Sequence, residues 1–210
     1  MTVYIVDDDV RIREALQELL MANGLPCIGF ASATDYMAFE RDEAPSCLIL
    51  DVELPDINGL EFQRQIAGDA HPPIVFLTGH GDIPSSVQAI KRGAIDFLTK
   101  PVGEASLLDS VRAGLERDRL GRAAHAEIVD LKTRLATLTP REHDVLPLVV
   151  SGLLNKQAAA ALGISDITLQ IHRRRIMQKM QAASLADLVR MAERLMIPVT
   201  HTRRTGTPSA

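Results

Sequence analysis

Apolar residues recur as short runs through the first half of the chain and at helical spacing through the second. The runs are Val3–Val6, Cys27–Phe30, Cys47–Leu50, Ile74–Leu77 and Ile95–Leu98. They read as strands of a parallel sheet, which are buried on both faces and so lack polar alternation. Between the runs the period changes. Ile12, Ala15, Leu16, Leu19 and Leu20 share one helical face, as do Leu107, Leu108, Val111 and Leu115. Alternating strands and helices predict βα units joined by right-handed crossovers, with helices on both faces of the sheet. Five strands predict a flavodoxin-like (βα)5 domain over residues 1–118.

A polar helix is predicted over 119–138, where Gly121, Ala124, Ile128, Leu131, Leu135 and Leu138 alternate at spacings of 3 and 4. That is a short coiled-coil seam. It covers less than three heptads and its first members are small, so two readings stay open. One is a dimer-forming connector; the other is a helix lying against its own chain. Thr139-Pro140-Arg141-Glu142 then restarts the chain. Thr139 can accept from the backbone N–H three residues on, Glu142 can reach back, and Pro140 suits the first helical position. Everything after it reads as helix, in segments near 140–151, 155–162, 166–180 and 184–197. Gly152 and Gly163 are the stops, and Ser165 and Ser184 the caps. The fold class is therefore α/β followed by all-α, with a four-helix domain over 139–197. A Thr-, Arg- and Pro-rich tail over 198–210 is expected to be disordered.

Composition sharpens this picture. Hydrophobic residues make up 46% of the 210, but aromatics only 3% with no Trp, so the core is expected to be aliphatic. Cys27 and Cys47 are too few for a zinc site or a disulfide framework and read as small hydrophobes. The chain opens directly on Thr2–Val6 with neither a basic leader nor a long apolar stretch, so it is expected to be cytoplasmic and not membrane-spanning. The net charge of −4 conceals a split: residues 1–120 carry 20 acidic and 10 basic side chains, and residues 121–210 carry 7 and 13. A cation-binding front and a polyanion-binding back are expected.

The acidic half carries candidate chemistry at its strand ends. Asp7 and Asp8 follow the first run, Asp51 the third, Thr78 the fourth, and Lys100-Pro101 the fifth. Parallel sheets place their chemistry at the carboxyl ends of strands. A lone aspartate there is commonly a helix cap; polar groups on four strand ends need another explanation. Carboxylates gathered that closely repel one another. A hard divalent cation relieves the conflict, and oxygen ligands with room for waters fit Mg²⁺. A carboxylate beside a metal, a lysine and a hydroxyl is fitted to accept a phosphoryl group.

Residues 1–118 resemble the receiver domain of two-component response regulators. The matching stretches are Val6-Asp7-Asp8-Asp9, Asp51 to Gly59, Thr78-Gly79-His80-Gly81-Asp82 and Phe97-Leu98-Thr99-Lys100-Pro101, the third being most similar to the FixJ branch. The resemblance implies that Asp51 accepts phosphate from a sensor histidine kinase. It implies that Asp7, Asp8, Asp51 and the Glu53 backbone carbonyl hold Mg²⁺, and that Thr78 and Lys100 bind the phosphoryl oxygens. It further implies a cis Lys100-Pro101 bond and a switch role for Phe97, which by its own pattern reads as core. Glu53 and His80 would border the pocket and could modulate loss of the phosphate.

In the basic half, a wheel of the helix after Ser165 sets Leu169, Arg173, Ile176 and Met180 on one side, the Arg173 stem snorkelling. Ile167, Gln170, Ile171, Arg174 and Gln178 fall opposite. Gln and Arg can read purine edges in the major groove, and an exposed Ile suits a thymine methyl. With 155–162 before it, this helix makes a helix-turn-helix. Residues 139–197 resemble the LuxR/NarL-type DNA-binding domain through Leu138 to Glu142, Gly152, Asn155-Lys156, Leu162 to Ser165, Thr168, His172-Arg173, Ile176-Met177 and Lys179-Met180. By position, Gln170, Ile171 and Arg174 would face bases, and Lys156, Thr168, His172 and Arg175 would contact phosphates. The last helix would form a dimer contact on a two-fold related site of double-stranded DNA, with the homodimer forming on phosphorylation. The chain departs from the pattern at Ala158, where a larger aliphatic is usual, and at Leu169 in place of valine. Pro147, inside the first helix, is expected to kink it.

The sequence thus reads as a phosphorylation-controlled transcription regulator and not an enzyme. A DNA-independent phospho-switch that binds a protein is the alternative. Asp51-x-Glu53 also vaguely resembles the acid pair of haloacid-dehalogenase phosphatases, but those place the pair on the first strand and need a cap.

Overall fold

A computed structural model describes residues 1–66, 71–79 and 83–198. His80 and the tail beyond Pro198 lie outside the described residues. Five strands form one parallel sheet: β1 (Thr2–Val6), β2 (Cys27–Phe30), β3 (Ser46–Asp51), β4 (Ile74–Thr78) and β5 (Asp96–Thr99), in the order β2-β1-β3-β4-β5. The strand period of two sorts each run between two cores. Tyr4, Val6, Leu48 and Leu50 point to one face, under α2 (Ala33–Ala38), α3 (Gly59–Gln65) and α4 (Ile83–Lys91). Val3, Ile5, Cys47 and Ile49 point to the other, under α1 (Val10–Ala22) and α5 (Glu104–Ala136). This is the flavodoxin-like arrangement. Its strand order reverses between β1 and β3, which opens a crevice at their carboxyl ends.

The core is mainly aliphatic, with an aromatic cluster at the β2 edge. Tyr4, Phe30, Tyr36 and Phe39 meet edge to face or tilted, at ring separations of 5.3 to 6.3 Å. Cys47 is fully buried, and burial pushes its thiol up to about 12, so it acts as a small hydrophobe. It faces α5 at close range: a Cβ on Gly114 would stand 2.6 Å from the Cys47 sulfur.

α5 is a single helix of 33 residues with no break near residue 118. Ion pairs Glu116–Arg119 and Asp118–Arg122 line that stretch. Asp118 also accepts from the Ser46 backbone N–H at 2.8 Å, tying the helix to the start of β3.

The chain divides into two compact units, Met1–Ala123 and a second beginning at Ala124. The second unit contains α6 (Pro140–Val150), α7 (Asn155–Leu162), α8 (Asp166–Met180) and α9 (Leu185–Arg194) around one core. Thr139 and Glu142 form the reciprocal cap at the start of α6. Gly163 ends α7 in the left-handed region at φ 64°, where a side chain would be strained. Pro147 does not interrupt α6, which continues to Val150. Ala158 and Ala159 are buried, so α7 joins the core of this unit through methyl groups. Leu131 and Leu138 are buried and Leu135 joins the core of this unit, while Gly121 and Ala124 are exposed. The carboxyl half of the seam therefore faces its own chain.

Candidate functional site

The crevice between β1 and β3 gathers the acidic side chains. β1 ends at Val6, so Asp7 is the first residue free to turn into the opening, and Asp51 is the last residue of β3. Asp7 and Asp51 are 1% and 5% exposed, which is rare for carboxylates without a partner. Their partner is Lys100, brought in by β5, whose ammonium lies 2.6 Å from Asp7 Oδ2 and 2.6 Å from Asp51 Oδ2. Carboxylate oxygens of Asp7, Asp8 and Asp51 lie within 4.8 Å of one another, with Asp8 open to solvent. The remaining oxygens are also engaged: Asp7 Oδ1 accepts from the Asp9 N–H at 3.0 Å and Asp51 Oδ1 from the Glu53 N–H at 3.1 Å.

Burial raises the Asp7 pKa above its ordinary value; Lys100 opposes the shift and the Asp51 charge adds to it. Burial would lower the Lys100 pKa, but its hydrogen bonds to Asp51 and Asp7 outweigh that and raise it, so the lysine stays charged. Thr78 is fully buried at the end of β4, where its carbonyl accepts from the Lys100 N–H at 2.8 Å. Lys100-Pro101 is cis. Phe97 is half-buried beside Phe76, ring centroids 5.8 Å apart. It lines a cavity of about 480 Å³ shared with Ser86, Val87 and Ile90 of α4. The Glu53 side chain is exposed.

Three supports of this pocket were not read from the sequence. Arg13 donates from Nη1 to the carbonyls of Asp7 and Asp8, at 2.6 and 2.9 Å, fixing the turn that aims both aspartates. The sequence did carry a hint, because a cation in the first turn of a helix opposes the dipole and needs a compensating partner. Gly59 opens α3 against the end of β3, and a Cβ there would collide with the Asp51 carbonyl oxygen. Asp56 accepts from the N–H and hydroxyl of Thr34 at 2.9 and 2.8 Å, joining the loop after Asp51 to the start of α2.

On the second unit, Lys156, Gln170, Ile171, Arg174 and Arg175 are exposed. Thr168 and His172 are half-buried, the Thr168 hydroxyl lying 2.8 Å from that of Ser165. Leu169, Ile176 and Met180 are buried, as the wheel requires. Arg173 is half-buried and donates to Asn155 Oδ1 at 3.1 Å, joining α8 to the start of α7. The unforeseen element here is a buried ion pair. Glu142, 1% exposed, lies 2.6 Å from the Lys179 ammonium, which also donates to the Thr137 carbonyl at 3.0 Å. Burial alone would raise the Glu142 pKa; the Lys179 and Thr139 donors overcome it and hold the group down to about 2.

Among the described residues, no helix is long and apolar enough to cross a membrane. Residues 3–112 match the response regulator receiver domain family, and residues 136–192 match the bacterial regulatory proteins of the luxR family. The chain is 47% identical over 204 residues to Nodulation protein W of Bradyrhizobium diazoefficiens, an alignment covering 97% of this chain and 90% of that protein. It is 42% identical over 192 residues to the transcriptional regulatory protein FixJ of Azorhizobium caulinodans, covering 90% of each. Among solved structures, the response regulator StyR aligns with a TM-score of 0.81 at 43% identity, over 91% of this chain and 98% of that one. A receiver fold with its acidic crevice, a luxR-type helical unit and relatives matched over nearly their whole length agree: this chain belongs to the transcriptional response regulators.

Proposed function

We propose that Asp51 is the phosphoacceptor and that its phosphorylation by a histidine kinase controls DNA binding by the carboxyl-terminal unit. The observation that carries this reading is the Lys100 ammonium held at 2.6 Å from two buried carboxylates, with a third within 4.8 Å. Three carboxylates against one ammonium leave a formal double negative charge, which suits a divalent cation. Asp7, Asp8 and Asp51 offer hard oxygen ligands with an open side at Asp8, a set that fits Mg²⁺, and the Glu53 carbonyl is the further ligand. When bound, that ion neutralises charge on the phosphoryl oxygens.

The residues of the chain do the rest. A carboxylate oxygen of Asp51 attacks the phosphorus of a phosphoimidazole. The P–O bond forms, the P–N bond breaks with its electron pair staying on the ring nitrogen, and that nitrogen takes a proton from solvent so that the imidazole leaves neutral. Lys100 exchanges a carboxylate partner for a phosphoryl oxygen, and the Thr78 hydroxyl at the adjoining strand end binds another. Movement of Thr78 toward the phosphate would let Phe97 turn inward, since its ring borders open space beside α4. The gain shifts an existing equilibrium toward a DNA-binding dimer, with α9 as the dimer contact. Gln170, Ile171 and Arg174 then meet base edges, and Lys156, Thr168, His172 and Arg175 meet phosphates.

The test is labelling with acetyl phosphate in the presence and absence of Mg²⁺. Wild type should take up about one phosphoryl group per chain, only with the metal, and Asp51→Asn should take up none while keeping its fold. Labelling of Asp51→Asn at wild-type stoichiometry would show that another residue is the acceptor.

A further inference from the structure

The apolar surface of α8 extends beyond Ile171 to a residue that none of the contacts assigned above uses. Ile167, the second residue of the helix, is 72% exposed, and Ile171, one turn later, is 47% exposed. Both are β-branched and rigid; Gln170, Arg174 and Arg175 of the same helix are exposed, as is Lys156 of α7, and Asp166 beside Ile167 is the one acidic residue of the helix. A soluble surface that strands two isoleucines amid positive charge is not explained by packing, because the inward face is already supplied by Leu169, Ile176 and Met180. The surrounding charge selects a polyanion as the occupant. Within a polyanion of double-stranded DNA, the feature that rewards an aliphatic branch is the thymine C5-methyl in the major groove.

We propose that Ile167 is a second specificity-determining residue, and that Ile167 and Ile171 together read a pair of thymine methyls. This rests on the DNA-binding reading above and deepens it. Ile167, Gln170, Ile171 and Arg174 stand at i, i+3, i+4 and i+7, one continuous stripe of the helix. Residues at the amino end of a recognition helix lie deepest toward the base edges. Four residues of helix rise about 6 Å, and successive bases on one strand are about 3.4 Å apart. The two isoleucines therefore span roughly two base steps, with Gln170 between them free to address a purine edge. The preferred half-site should carry two thymines separated by one position.

The full chain, loaded with beryllofluoride, is used to select a binding sequence from random DNA. Each thymine of the selected half-site is then replaced singly by deoxyuridine, which removes only the methyl. Dissociation constants are measured for wild type, Ile167→Ala and Ile171→Ala. We expect two sensitive thymines, each costing wild type roughly fourfold in affinity. Methyl removal at one should cost Ile167→Ala nothing and at the other should cost Ile171→Ala nothing. The uridine series on wild type needs no variant to fold, and circular dichroism checks the two variants. Ile167→Ala showing the wild-type response at every uridine overturns the inference but leaves DNA binding intact. A wild-type chain that selects no sequence overturns both.

Discussion

Gly59 and Asp51 touch backbone to backbone: the Gly59 N–H donates to the Val52 carbonyl at 2.9 Å, and any β-carbon on Gly59 would run into the Asp51 carbonyl oxygen. The start of α3 is thereby pressed against the strand end that carries the proposed phosphoacceptor. Gly59→Ala must push the two apart, because neither partner is a flexible side-chain tip. The expected outcome is a loss of about 1–3 kcal/mol in urea unfolding and slower labelling by acetyl phosphate. A variant with wild-type stability and labelling rate would show that the contact relaxes freely.

Arg13 holds the backbone carbonyls of Asp7 and Asp8, whose carboxylates are proposed metal ligands. Groups that orient ligands typically matter about 10- to 100-fold in metal affinity. Arg13→Ala should weaken Mg²⁺ binding, measured by calorimetry, by about tenfold while leaving the circular dichroism spectrum unchanged. Unaltered Mg²⁺ affinity would mean the turn is held without the guanidinium.

The Glu142–Lys179 pair makes the second unit acid-sensitive at a definite place. Glu142 titrates near 4.5 when unperturbed and at about 2 in the fold. A depressed folded pKa adds stability that is present above the unfolded value and lost as the pH falls toward the folded one. Glu142→Gln should therefore lower the melting temperature at pH 7, and the gap from wild type should close between about pH 4.5 and pH 2. A gap that persists unchanged at pH 2 would mean that the charge of Glu142 is not what stabilises the fold.

Arg174 and Lys156, both exposed, carry different proposed roles. Arg174→Ala should relax sequence preference at one base position, costing about 1–3 kcal/mol on the selected site. Lys156→Ala should weaken binding to all sequences alike and reduce the salt slope by about one. Equal and uniform losses from both variants would contradict the division of roles.

The amino-acid pattern alone determined the order and kind of the elements. Runs such as Cys47–Leu50 are buried on both faces, and that burial is written locally in their composition. The Thr139–Glu142 cap and the Gly163 stop are likewise local, since each satisfies backbone groups within one turn. The acidic strand ends were legible because a parallel sheet collects its strand termini on one side. Register and crossover geometry decided the rest, and neither is written within any single segment. They set Lys100 against Asp7, 93 residues away, and Arg13 behind the turn that aims the aspartates. They also required glycine at 59 and brought Gly114 onto Cys47. The seam of residues 121–138 could face a partner or its own chain, because an apolar stripe specifies burial but not by what. Leu131 and Leu138 are buried and Leu135 packs on the core of the second unit, so the carboxyl half of the stripe is covered by its own chain.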